Sequence, residues 1–172
     1  MIDANDRSYL ERCIELAQQA VEAGDEPFGS VLVDGNGELR AEDRNRIAEG
    51  PGDATRHPEF ALARWAAAHM SPDARAASTV YTSGEHCPMC AAAHAWVGLA
   101  RIVYASSSAQ LVAWLTELGA AQPPVIPRPI HEIAPGVTVD GPVPDLAERV
   151  RALHIRRHAE RQGALSAKQP EQ

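Results

Sequence analysis

Two short motifs concentrate the residues able to do chemistry. His57-Pro58-Glu59 and Cys87-Pro88-Met89-Cys90 each open a run with helical spacing, with proline where a first helical turn accepts it. A helix N-terminus presents unpaired N–H groups and partial positive charge, which favours thiolate over thiol. Two thiolates and one imidazole make a three-ligand zinc site with a fourth position open. That is the pattern of catalytic zinc, since structural zinc is usually closed by four protein ligands. Glu59, two residues beyond His57, is close enough to reach the fourth position without ligating the ion. A carboxylate there can accept a proton and return it to a leaving group. A lone His-x-Glu says nothing, and a lone Cys-x-x-Cys is also a redox pair or half of a zinc knuckle. The two motifs in this order, with a strand between them, carry the signal.

The elements that must position these motifs follow from periodicity. Leu10, Cys13, Ile14, Leu16, Ala17 and Val21 recur near helical spacing over 6–23, and Gly24 is a stop signal. Phe28 to Asp34 reads as a strand, Asp34 to Gly37 as a tight turn, and Glu38 onward as the returning strand. The loop Gly50-Pro51-Gly52-Asp53 leads to His57, and a buried helix face runs from there to Met70. Ser78 to Ser83 is a short strand, Cys87 to Ala100 a helix, Ile102 to Tyr104 a strand, and Ser108 to Leu118 a helix ending at Gly119. A proline-rich crossing, Gln122 to Pro129, precedes a last strand at Val137 to Asp140 and a charged amphipathic helix from Asp145 to about Arg161. Alternating strands and helices predict one α/β layered domain with a mixed sheet over 1–161, followed by a frayed tail at 162–172.

The paired motifs resemble the zinc deaminase signature, His-x-Glu followed by Pro-Cys-x-x-Cys. The chain is thereby identified as a member of the cytidine-deaminase superfamily over roughly Leu10 to Gly119, with His86 standing where the family usually has proline. A histidine there could line the pocket, offer a rival ligand or be a tolerated substitution. The resemblance implies a three-layer α/β/α fold with a central mixed five-stranded sheet, one zinc ion per chain held by His57, Cys87 and Cys90, and Glu59 as the catalytic proton carrier. Pro27-Phe28-Gly29, Glu42-Asp43-Arg44-Asn45, Asp53-Ala54-Thr55-Arg56-His57 and Arg101-Ile102-Val103-Tyr104 look like the guanine deaminase and tRNA adenosine deaminase branch. By that likeness Asn45 bonds the substrate and Phe28 packs on the base. Trp96, six residues after Cys90, matches a tryptophan of guanine deaminases, and Glu117 falls near a carboxylate they use on substrate; ordinary helix core and a solvated helix-end acid are the plain alternatives. Arg56 and the run Glu85 to Trp96 are similar to an actinobacterial subgroup acting on guanine-like and cytosine-like bases and on s-triazines such as ammeline. Relatives in the branch imply a homodimer, for which Leu111, Trp114 and Leu115 offer an apolar patch. Trp65 and Trp114 are expected as core or dimer contact, and His69, His131, His154 and His158 at the surface.

Composition bounds these readings. The 172 residues suit a single domain, with 45% hydrophobic and 23% charged residues. Three cysteines make no disulfide framework. No apolar leader opens the chain, and the most apolar stretch, Ala91 to Ala100, is too short to span a bilayer, so a cytoplasmic protein with no membrane partner is expected. The net charge of −7 disfavours nucleic acid. The resemblance implies a small-molecule heterocyclic base as the partner. A tRNA adenosine deaminase is the nearest alternative, and a zinc-stabilised module without catalysis is a third, against which Glu59 speaks.

Overall fold

The computed structural model describes residues 2–50, 52–121 and 123–167. Pro51 and Gln122 of the expected loops, and 168–172 of the expected tail, lie outside the described residues. Helix α1 (Ala4–Glu22) starts at a capping box in which Asp3 accepts from the Asp6 N–H and Asp6 from the Asp3 N–H. Strands β1 (Gly29–Val33) and β2 (Leu39–Arg44) form an antiparallel hairpin. Then come α2 (Pro58–His69), α3 (Pro72–Ala76), β3 (Thr79–Gly84), α4 (Pro88–Val97), β4 (Arg101–Ser106), α5 (Ser108–Glu117), α6 (Ile130–Ile133), β5 (Thr138–Asp140) and α7 (Pro144–Ser166). The sheet order is β2-β1-β3-β4-β5, antiparallel as far as β1/β3 and parallel across β3/β4 and β4/β5. It is the expected mixed five-stranded sheet.

Helices cover both faces, as the hydrophobic pattern of the strands requires. On one side Leu10, Cys13 and Ile14 of α1 and Leu146, Ala147 and Val150 of α7 pack with Val31, Tyr81 and Val103. On the other, Leu62, Ala63 and Ala66 of α2 pack with Leu32, Val80 and Leu99. Alternate residues of one strand face opposite layers, so Val31 and Leu32 serve different cores. At the strand ends away from the metal motifs, buried Asp6 accepts from Tyr81 Oη at 2.7 Å and from Arg101 at 2.8 and 3.0 Å, and Arg101 also donates to Asp140 at 3.0 Å. This network ties α1 to β3, β4 and β5.

Three expectations change. Helix α7 continues through Ser166, so 162–166 are helical where a frayed tail was expected. His154 is buried, not at the surface: its ring lies between Phe28 and Trp114, with centroids 5.4 and 5.9 Å away. Trp114 belongs to the core under α7 and so gives no dimer patch. Among the described residues no helix is long and apolar enough to cross a membrane.

Candidate metal centre

The two motifs meet beyond the end of the central strand β3, and each sits at a helix start. His57 and Cys87 are the N-cap residues of α2 and α4, with extended backbone, and Pro58 and Pro88 follow in the first turn. Cys90 lies one turn into α4. The Cys87 and Cys90 sulfurs are 3.5 Å apart, and each is 3.6 Å from His57 Nδ1. A tetrahedron with zinc–sulfur and zinc–nitrogen bonds of about 2.3 and 2.0 Å has edges of about 3.8 Å between sulfurs and about 3.5 Å from sulfur to nitrogen. The three atoms therefore fit zinc, and among the described residues they are the one group of three or more metal-binding side chains.

The electrostatics suit the same role. Contact with the Cys90 thiol, against the effect of burial, lowers Cys87 to about 4, while contact with Cys87 and burial push Cys90 up. His57 is raised, chiefly by Cys87 beside it. Glu59 is 5% exposed and raised by burial. Its Oε1 accepts from Thr82 Oγ1 at 3.0 Å, and Thr82 in turn accepts from Ser30 Oγ at 2.9 Å. Its Oε2 lies 3.8 Å from Cys90 Sγ. One carboxylate oxygen is thus anchored to the sheet and the other faces the ligand cluster.

Surrounding residues fix the loops. Buried Asn45 donates its backbone N–H to the Phe28 carbonyl at 2.9 Å, and its side-chain Oδ1 accepts from Ile47 N–H at 3.2 Å. The Phe28 ring lies over Gly84, where a Cβ would come within 3.0 Å of Phe28 Cε1. That close approach explains glycine three residues before Cys87. Glu85 accepts from the Ser108 N–H at 2.8 Å and the Ile130 N–H at 2.9 Å, so one carboxylate holds the starts of α5 and α6 beside the metal loop. A cavity of about 260 Å³ abuts His57 from the outer flank of α2, walled by Arg46, Asp53, Thr55, Arg56 and Phe60 among others. Glu59, Asn45 and Phe28 are not among its walls.

Two residues singled out in the sequence stand elsewhere. Trp96 is 89% exposed, six residues beyond Cys90 and so about 120° round the helix, and does not enclose a ring within this chain. Glu117 is exposed near the end of α5 and ion-paired with Arg151 at 2.8 Å. His86 is outside the ligand cluster; it is fully buried, edge-on to His94 at 5.4 Å, and burial lowers both imidazoles. Sequence reasoning missed Ser30, Thr82 and Glu85. A signal was present for Ser30, a hydroxyl at the start of an apolar strand, but not for Thr82, which stands between Tyr81 and Ser83.

Residues 3–106 match the family described as the cytidine and deoxycytidylate deaminase zinc-binding region. The chain is 32% identical over 126 residues to a probable cytosine deaminase of Schizosaccharomyces pombe, covering 72% of this chain and 74% of that protein. It is 34% identical over 103 residues to guanine deaminase of Bacillus subtilis, covering 59% and 65%. The crystal structure of a variant of NE0047 in complex with 8-azaguanine superposes with a TM-score of 0.70 at 25% identity, covering 92% and 86%. Fold, donor set and sequence match agree: the chain belongs to the cytidine and deoxycytidylate deaminase zinc-binding family, as a zinc-dependent aminohydrolase.

Proposed function

We propose that this protein hydrolytically deaminates a free nucleobase or base-like aminated heterocycle, guanine-like, cytosine-like or an s-triazine such as ammeline, and releases ammonia. The observation that carries the reading is Glu59, a buried carboxylate beside the three ligands with one oxygen left facing them. Zinc, when bound, supplies the Lewis acidity that makes water a nucleophile at neutral pH. Water adds at the ring carbon bearing the amino group, and Glu59 carries one proton to the ring nitrogen and a second to the amine, which leaves as ammonia. Burial serves this role, because it raises the carboxyl above its ordinary range and so lets it hold a proton that a surface carboxylate would give up. Asn45 spends its side-chain oxygen on Ile47, which leaves its amide N–H groups to meet an acceptor on the ring edge. The names of the cytosine and guanine deaminase relatives, and the 8-azaguanine bound to NE0047, support a base as the substrate class.

The test is ammonia release from guanine, cytosine, isoguanine and ammeline, from guanosine and cytidine, and from a tRNA anticodon stem, each with and without a chelator. At least one free base should be turned over faster than its nucleoside, and the chelator should abolish that turnover. Glu59→Gln should keep about one zinc per chain and lose at least about 10²–10⁴-fold in kcat. Release from the tRNA stem alone would move the function to the tRNA branch. A fully active Glu59→Gln would remove the proton carrier from the scheme.

A further inference from the structure

Beneath Glu59, the sheet breaks its own hydrophobic pattern. Leu32 of β1 and Val80 of β3 face the α2 layer and pack with Leu62 and Ala66. Two residues along each strand, on the same face, stand Ser30 and Thr82, which are cross-strand partners and wholly buried. The packing does not call for hydroxyls here, since replacing both members of a buried hydrogen-bonded pair by apolar groups of similar shape is often close to neutral for stability. What the pair does is point at one atom. Ser30 Oγ donates to Thr82 Oγ1, and Thr82 Oγ1 donates to Glu59 Oε1.

From this geometry we propose that Ser30 and Thr82 are positioning residues that fix which oxygen of Glu59 handles the proton. The inference rests on the reading of Glu59 given above. Thr82 has a single hydroxyl hydrogen, and the Ser30 hydroxyl already occupies the side from which Thr82 accepts. The Thr82 hydrogen is thereby directed at Glu59 Oε1. A proton arriving on Oε1 would face another donor, so it is carried on Oε2, the oxygen 3.8 Å from Cys90 Sγ. The carboxyl can then return the proton toward the reacting atoms without turning over.

Thr82→Val keeps the β-branched shape and removes the hydroxyl. Its kcat should fall about tenfold to a hundredfold, the range for a hydrogen bond to a charged group, with KM within about twofold and zinc content unchanged. Thr82→Ser should recover most of the rate. The Ser30→Ala/Thr82→Val double variant, which leaves no orphaned hydroxyl and only Glu59 Oε1 without its donor, should melt no lower than Thr82→Val (about 2–4 °C per kcal/mol in a domain of this size) and yet stay as slow. Crystal structures of metal-free protein should show one Glu59 rotamer in the wild type and Thr82→Ser and more than one in Thr82→Val. Wild-type kcat in Thr82→Val, equal loss in Thr82→Ser, or one unchanged rotamer in Thr82→Val would overturn the proposal. Glu59→Gln run in parallel separates the two readings. An inactive Gln variant beside a full-rate Val variant sinks the relay alone, whereas a fully active Gln variant sinks the role of Glu59 and the relay with it.

Discussion

His154 shows how far one side chain can depart from its ordinary chemistry. Packed between Phe28 and Trp114, it is lowered to about 4 by burial alone. In the folded protein it stays neutral at pH 5, where the unfolded chain would protonate it at its usual value of about 6.5. The unfolded state therefore binds more protons across this window, and stability falls as pH drops from about 6.5 to about 4, then flattens. His154 contributes on the order of 3 kcal/mol to that fall. His154→Phe should lose less stability between pH 7 and pH 5 than the wild type, read from urea denaturation at the two values. Burial also explains why its position was illegible: a histidine amid arginines in a charged helix carries no mark of the neighbour it will meet. Trp96 and Glu117 teach the reverse lesson: likeness to guanine deaminases offered both as substrate contacts, whereas here the indole is exposed and the carboxylate is exposed and paired with Arg151.

At the scale of elements, local signals sufficed where they were strong. Helical periodicity, first-turn prolines and stop glycines located α1, α2, α4 and α5 to within a few residues, and the five segments read as strands, one of them from the turn before it, became the five strands. Helices α3 and α6, five and four residues long, are too short to show a period and were missed. The metal ligands were readable because each lies at a helix start announced by proline. The Ser30–Thr82 contact was not, since it joins residues 52 apart in the chain. The same limit hid the Asp6 network. Burial raises Asp6, but hydrogen bonds from Arg101 and Tyr81 outweigh it and leave the carboxyl below its usual range. The stability it confers is present above about pH 4 and is lost as pH falls through the lowered value. Asp6→Asn should cost about 2–3 kcal/mol at pH 7 and flatten the acid limb of the unfolding curve. An unaltered acid limb would show that the network adds nothing to folding.

For the whole molecule, α4 packs Ala93 and Val97 against the α2 layer and leaves Met89 and Ala92 half-buried and Trp96 standing out in solvent. An exposed indole on an apolar face is the kind of anchor that dominates protein interfaces, which makes a homodimer through α4 the expected state. Light scattering should give a dimer mass at micromolar concentration, and Trp96→Glu should give a monomer that still holds zinc. A wild-type monomer would count against it. The grip of Glu85 on the starts of α5 and α6 has a consequence for how the chain can be recut. Glu85 bonds the Ile130 N–H at the far end of the 118–129 connection and the Ser108 N–H one helix before its near end, and much of the 123–128 stretch between is exposed. A circular permutant opened there would keep both hydrogen bonds, because Glu85, Ser108 and Ile130 all lie outside the cut.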